Sequence, residues 1–588
     1  MSLRLRKEPT TSNQKTSKIV EDLANPGKFV RLPDTQIETQ LGSNSKVQPQ
    51  TYSSSGDTFL SVFLLLSIAF SFQCALAFTG YSGQGKPPLF GDFEAQRHWM
   101  EITINLPVKE WYTNSTDNDL LYWGLDYPPL TAYHSYLMGF VARKINASWV
   151  DLHASRGIET SSHRLFMRLT AICPFYLIYF PAIIVYFMRT ADFGKNPFIS
   201  RLRLLTFTIL YPGILQIDNA HFQYNSISLG LFLWSYIFLE NERFLTGSIL
   251  FVLALNYKQL ELYHALPIFV YILARNIKHP IFENLIRSIA SISKIGLVVL
   301  GTFFVLWAPF IFQGTQQITA VLKRIFPFQR GLYEDKVASF WCAFSFVLKR
   351  IPNFELEKQL LASTTLVLGC SLPSLVPLFL RPTNVHFRLA TFNVALSFFL
   401  FSFHVHEKTI LLVAIPAFLL LNEKALYRDM VAFLTVSATS MFSLCIKDEN
   451  ASFLFCLAAF HLFGAWMRRH TVVENESSLM NWLYDLASMV CLALNFLELE
   501  LILRPPTRYP YLFPLMSAAF SCAFFMAILL KTTTKMKCSK RVEIIRCRSK
   551  FSYLFTRSCE FDTNPRCPSS ASAWIERTYL MCCAAIAS

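Results

Sequence analysis

The sequence predicts an all-α polytopic membrane protein, and three observations predict it. Apolar windows of about 17–25 residues, the length a helix needs to cross hydrocarbon, recur along most of the chain. Hydrophobic residues make up 53% of the 588 positions and charged residues only 16%, against roughly 25% in soluble domains. Mean hydropathy is +0.35, and the charges that do occur crowd between the apolar windows.

Residues 1–57 are polar, rich in Ser, Thr, Gln and Lys, without apolar periodicity, and read as a disordered cytosolic tail. So long a polar stretch before the first apolar run argues against a cleaved signal peptide. The run Phe59 to Phe78 therefore stays in the membrane. About fourteen spans are expected: 59–79, 164–188, 202–217, 226–240, 244–256, 264–277, 289–312, 360–380, 388–403, 409–421, 428–446, 451–467, 480–503 and 511–530. They make residues 58–535 one transmembrane domain, and an even count puts both termini on one side.

Basic loops set the orientation. Arg189 to Arg203, Arg275 to Arg287, Arg381/Arg388, Lys424/Arg428, Arg468/Arg469 and Lys531 to Lys537 fall on one face under this count, which should be cytosolic. The opposite face receives two large loops, 80–163 and 313–359, and the short turns at His221 to Asn225, Tyr257 to Tyr263, His404 to Lys408 and near Arg508. Every polar motif thus lands on one rim, although the clustering did not set the count. Leu130 to Val141, short and preceded by Pro128-Pro129, reads as an amphipathic helix on that surface. The sequons at Asn114 and Asn146 bracket it and are candidate N-glycosylation sites; Asn450 is on the same side by count, and Asn475 on the cytosolic side.

The formal charge of +15 does not point to nucleic acid, because +7 of it lies in the last 58 residues (eleven Lys/Arg, four Asp/Glu) and the rest flanks spans. The fourteen Cys show no paired zinc spacing and sit largely in apolar runs, as small buried hydrophobes do. The basic tail 536–588 holds six of them and has no helical pattern; on a reducing face a disulfide framework is not expected.

The densest motif follows the first span: Gly91-Asp92-Phe93-Glu94-Ala95-Gln96-Arg97-His98-Trp99. Such charges are costly in hydrocarbon and useful beside it. Asp92 can take a proton from an attacking hydroxyl held within about 3 Å. Trp99, Trp111 and Trp123 can stack on sugar rings or anchor the chain at the interface. In Trp123-Gly124-Leu125-Asp126-Tyr127-Pro128-Pro129, the prolines fix an extended backbone that holds Asp126 and Tyr127 for binding or for structure. His404-Val405-His406-Glu407-Lys408 can chelate a metal, hold a phosphate, or be two packed His beside a snorkelling Lys. Lys323 to Lys336 is a basic loop on the non-cytosolic side, which phosphate binding would explain.

These motifs, with His221 to Asn225, Lys258-Gln259-Leu260-Glu261 and Phe326 to Ala338, resemble the endoplasmic-reticulum glucosyltransferases that use dolichyl-phosphate glucose. Within that family they are most similar to the members that add the first glucose; those adding the second are the alternative. The resemblance covers about residues 59–535. It departs at Asn219-Ala220, where His-Gly is expected after Asp218, and in the tail.

The resemblance implies a GT-C helical bundle with a large first luminal loop, in the endoplasmic-reticulum membrane, its active site luminal. It implies inverting transfer without metal or cofactor, from dolichyl-phosphate glucose to a dolichyl-pyrophosphate-linked high-mannose oligosaccharide. Asp92 becomes the base. His404, His406, Lys408, Arg330 and Arg508 become candidates for the donor phosphate. Glu94, Arg97, His98, Trp99, Asp126, Tyr127, His221, Gln223, Lys258 and Glu261 become candidates for substrate contact. A transporter, the rival class, calls for ionisable groups in mid-span and for repeat symmetry; here the spans are nearly free of charge, the polar residues crowd one rim, and no internal repeat is apparent.

Overall fold

A computed structural model describes residues 55–190, 196–278, 280–326, 336–345, 355–470 and 478–538. These residues are helical or irregular, with no strand among those described. Among the described residues, seventeen helices of ten residues or more carry the fold: α1 Ser55–Ala77, α2 Gly91–Asn105, α3 Pro129–Ile145, α4 Ser161–Thr190, α5 Pro197–Phe222, α6 Asn225–Glu240, α7 Phe244–Tyr257, α8 Ala265–Asn276, α9 Ile281–Ile311, α10 Thr315–Ile325, α11 Leu356–Leu380, α12 Asn384–Phe401, α13 Leu411–Leu420, α14 Tyr427–Lys447, α15 Phe453–His470, α16 Ser478–Leu497 and α17 Leu512–Cys538.

Each of the fourteen apolar segments falls on a helix. Eight helices among the described residues (α1, α4, α5, α9, α11, α14, α16 and α17) are long and apolar enough to cross a membrane alone. The chain is therefore an all-α polytopic membrane protein. The remaining apolar helices are shorter or more buried, as when neighbours rather than lipid cover them. The most apolar window of α14 is 89% buried, at the centre; that of α9 is 11% buried, at the periphery. Phe59, Leu60 and Phe63 of α1 and Leu297, Leu300 and Val305 of α9 stand exposed, as lipid-facing side chains do.

Two interruptions shape the end of the bundle that carries the polar motifs. Pro174 inside α4 removes a backbone donor, and a π-helical turn, Phe175–Tyr179, follows it. The last eight residues of α5, Leu215–Phe222, are also π-helical and deliver His221 to the rim. At the other end of α6, Glu240 pairs with Arg388 (2.7 Å), which also reaches Glu423 (2.8 Å); the basic residues there are tied into the bundle rather than merely solvated.

The segment read as an amphipathic helix is α3. It packs on α2 through small residues. A Cβ at Gly139 would meet Met100 O at 2.7 Å, so the contact needs glycine. Its other side exposes Leu137, Phe140, Val141 and Ile145.

Candidate active site

Asp92 lies in the first turn of α2, and its position is set by the residue before it. Gly91 has φ +67°, and a Cβ there would meet Ser82 O at 2.4 Å. Only glycine takes that backbone at no cost while the loop crosses so closely. The Asp92 amide then donates to Ser82 Oγ (3.2 Å).

Three side chains from distant elements converge on Asp92 Oδ2: Lys408 Nζ at 2.5 Å, Gln223 Nε2 at 2.7 Å and His221 Nε2 at 3.1 Å. Oδ1 takes none of them. Burial raises the Asp92 pKa, but Lys408 and then His221 outweigh it and hold the carboxyl well below the usual range. Burial lowers Lys408, and the Asp92 charge outweighs that, leaving the ammonium firmly protonated. Behind them, Lys258 Nζ donates to Gln223 Oε1 (3.1 Å) and Asn225 Oδ1 (2.8 Å), and Asn225 Nδ2 donates to the buried Asp218 (2.7 Å). Lys258 also sits 4.9 Å from the centre of the Tyr127 ring, and burial pulls its pKa down to about 8.

These groups open onto a cavity of about 520 Å³, within the range of ligand sites. One wall is α2, through Asp92, Ala95, Gln96 and Trp99; others bear Trp123, Asp126, Tyr127, Lys336, His406, Lys408 and Lys447. Carboxylates, aromatic faces and cations share one basin, the combination that binds a sugar beside a phosphate. Left-handed residues sit at or within two residues of lining positions: Phe90 (φ 54°), Trp123 (52°), Phe222 (87°), Lys336 (68°) and Glu449 (63°). Packing holds strained backbone around the site.

Of the residues singled out in the sequence, Asp92, Trp99, Trp123, Asp126, Tyr127, His221, Gln223, Lys258, His406, Glu407 and Lys408 line the cavity. Glu94, Arg97 and His98 do not. They occupy the opposite face of α2 with Glu101, at the helical spacing 94, 97, 98, 101, against 92, 95, 96, 99 for the cavity face. There Arg97 binds Glu94 through two bonds (2.7 and 2.6 Å), Glu101 (2.6 Å) and Ser155 (2.5 Å), all buried. Burial raises Glu101, and hydrogen bonding to His98 with the Arg97 charge outweighs it, to about 2. This lattice locks α2 onto residues 149–155 and so fixes the helix that carries Asp92.

Glu261 also faces away from the cavity. It binds His264 Nδ1 (2.7 Å), whose Nε2 donates to Leu412 O (2.7 Å), anchoring the start of α13 just after Lys408. His404 stacks edge-on against His406, and Arg508 lies exposed against Tyr509; neither lines the cavity. Arg330 and Asn475 lie outside the described residues. No group of three or more metal-ligating side chains occurs among the described residues. Asn114 and Asn146 are exposed, whereas Asn450 is buried and donates to Gly80 O (3.0 Å). Lys336, at the end of the basic loop for which the sequence suggested phosphate binding, lines the cavity; sequence reasoning gave no role to Gln96, Lys447 or Asp448. The helical spacing from Asp92 points to Gln96, and the Lys447-Asp448-Glu449 turn between two apolar runs points to the last two.

A polytopic bundle with a charge-balanced carboxylate, aromatics and lysines in one cavity at the end of its helices defines a membrane-embedded glycosyltransferase. The chain belongs to the ALG6, ALG8 glycosyltransferase family, whose model matches residues 64–531. It is 49% identical over 514 residues to the probable dolichyl pyrophosphate Man9GlcNAc2 alpha-1,3-glucosyltransferase of Caenorhabditis elegans, covering 87% of this chain and 97% of that one. The Drosophila melanogaster protein of that name is 43% identical (80% of this chain, 96% of the relative). The Gallus gallus dolichyl pyrophosphate Man9GlcNAc2 alpha-1,3-glucosyltransferase is 40% identical (80% and 95%).

Proposed function

We propose that the chain transfers glucose from dolichyl-phosphate glucose to dolichyl-pyrophosphate-linked Man9GlcNAc2, adding the first glucose in α-1,3 linkage with inversion. The acceptor is the one named for its relatives. The observation that carries the reading is the Asp92 carboxylate, kept ionised by Lys408 and His221 with one oxygen facing none of them.

In this reaction the mannose 3-hydroxyl oxygen bonds to the glucose anomeric carbon. The bond from that carbon to the phosphate oxygen breaks, its electron pair leaving with the phosphate. The hydroxyl proton goes to Asp92, as in an inverting hydrolase with a sugar in place of water. His406, Lys336 and Lys447 line the same cavity and steady the departing phosphate. Trp99, Trp123 and Tyr127 offer the sugar faces. The site faces the endoplasmic-reticulum lumen in this reading and both termini the cytosol.

The test supplies the purified full chain with labelled acceptor. Dolichyl-phosphate glucose should add one hexose to the Man9GlcNAc2 lipid and none to the lipid that already carries one glucose. Transfer from a nucleotide-linked glucose alone, or preference for the once-glucosylated acceptor, would overturn the assignment.

A further inference from the structure

His221 stands between two carboxylates. Its Nε2 faces Asp92 Oδ2 at 3.1 Å, and its Nδ1 faces Asp448 Oδ2 at 2.6 Å. Asp448 is 3% exposed and lies in the turn after α14, some 356 residues from Asp92 in sequence. It does not line the cavity, so it has no direct reach to a substrate there. Its place is fixed by backbone packing. A Cβ at Gly80 would meet Asp448 O at 2.3 Å, and Asn450 Nδ2 donates to Gly80 O at 3.0 Å. Ser82 N, two residues on, donates to His221 O at 3.2 Å, so one short strap holds both the acid and the histidine.

The ring nitrogens of a histidine are not independent: the bond made by one sets the proton on the other. A carboxylate only accepts, so the 2.6 Å contact places a proton on Nδ1. Nε2 is then aimed at the pair Asp92 Oδ2 and Lys408 Nζ (3.2 Å). Without a proton it accepts from Lys408; with one it donates to Asp92. The proton rests on Nε2 in its contact with Oδ2, which is how His221 helps to keep the Asp92 carboxylate ionised.

We propose that Asp448 is a positioning residue for the transfer, acting through His221. It fixes the Nδ1–H form and turns Nε2 toward Asp92. Nε2–H donates to Oδ2 and leaves Oδ1 to receive the proton when the sugar hydroxyl gives it up, while the Asp448 carboxylate balances the imidazolium. No proton or electron pair is unaccounted for, since the leaving pair departs on the phosphate. The proposal rests on Asp92 serving as the base.

The experiment is a double-mutant cycle in the purified full chain with dolichyl-phosphate glucose and the Man9GlcNAc2 lipid. Asp448→Asn keeps the shape and removes the charge. It should lower kcat by about 10–100-fold, less than loss of the base itself, and leave KM for both substrates within about twofold. In a His221→Asn background the same change should cost almost nothing further, because both act through one ring. Melting temperature should match the parent. Multiplicative losses, a rise in KM at unchanged kcat, or full activity would overturn the proposal. Should Asp448→Asn fail to fold, Asp448→Ser carries the same cycle, and failure of both to fold would overturn it in favour of a structural role. Asp92→Asn keeps the two readings apart. An active Asp92→Asn enzyme defeats the transfer mechanism, whereas an inactive one beside an unaffected Asp448→Asn defeats only this inference.

Discussion

Replacing Arg97 with Met distinguishes a lattice that holds the active-site helix from a group that touches substrate. Arg97 is fully buried, and its guanidinium satisfies Glu94 twice, Glu101 once and Ser155 once. Met fills the space and supplies no donor. Glu94 would keep the Tyr122 hydroxyl (2.8 Å), and Glu101 would keep His98 and the His153 amide (2.7 Å). Two buried carboxylates would then lack a cation. Removing one partner of a buried pair costs about 3–5 kcal/mol, a large share of the roughly 5–15 kcal/mol that holds a domain folded. Lys at this position should restore little, because it cannot make the two-pronged bond to Glu94. The assay is thermal melting of the purified protein in detergent, with steady-state kinetics on the folded fraction. The expected result is a melting temperature lower by roughly 5 °C or more, with KM for both substrates nearly unchanged. An unshifted melt with a raised KM would refute the reasoning and put Arg97 against the substrate.

Three further outcomes follow from the same geometry. Burial raises the Asp92 pKa, and Lys408 is the largest influence holding it down. A carboxyl with a depressed folded pKa is charged, and contributes stability, above its ordinary value near 4, and loses both as pH falls through the folded value. Lys408→Met should therefore move the acid limb of the pH–rate profile upward, as read from kcat/KM against pH. Gly80→Ala would drive a Cβ into Asp448 O and should cost activity and thermal stability together, although residue 80 carries no functional group. If the rim faces the lumen, mass spectrometry should find glycan on Asn114 or Asn146 and none on the buried Asn450.

Helices were legible in the chain because apolar runs of this length have one solution in lipid, and each run is helical here. Crossings were less legible. Helices such as α13 (Leu411–Leu420), buried throughout among neighbours, are too short to announce a span by themselves. The rim was visible through loop parity, which gathers Asp92, His221, Lys258 and Lys408 on one side. Parity cannot say which of them touch. The convergence of Lys408, Gln223 and His221 on a single oxygen depends on the π-helical end of α5 and the strap at Gly80 to Ser82, which no periodicity reports. The opposite error came from reading the motif Asp92 to Trp99 as a string. On a helix it has two faces, and only the one spaced 92, 95, 96, 99 looks into the cavity.

The most direct test of the central claim is the rate of Asp92→Asn. Asn keeps the shape and can still face Lys408, but it has no basic oxygen to receive the hydroxyl proton. With dolichyl-phosphate glucose and the Man9GlcNAc2 lipid, the folded variant should transfer glucose about 10²–10⁴-fold more slowly than the parent. Transfer at the parental rate, in a protein that melts at the parental temperature, would contradict it.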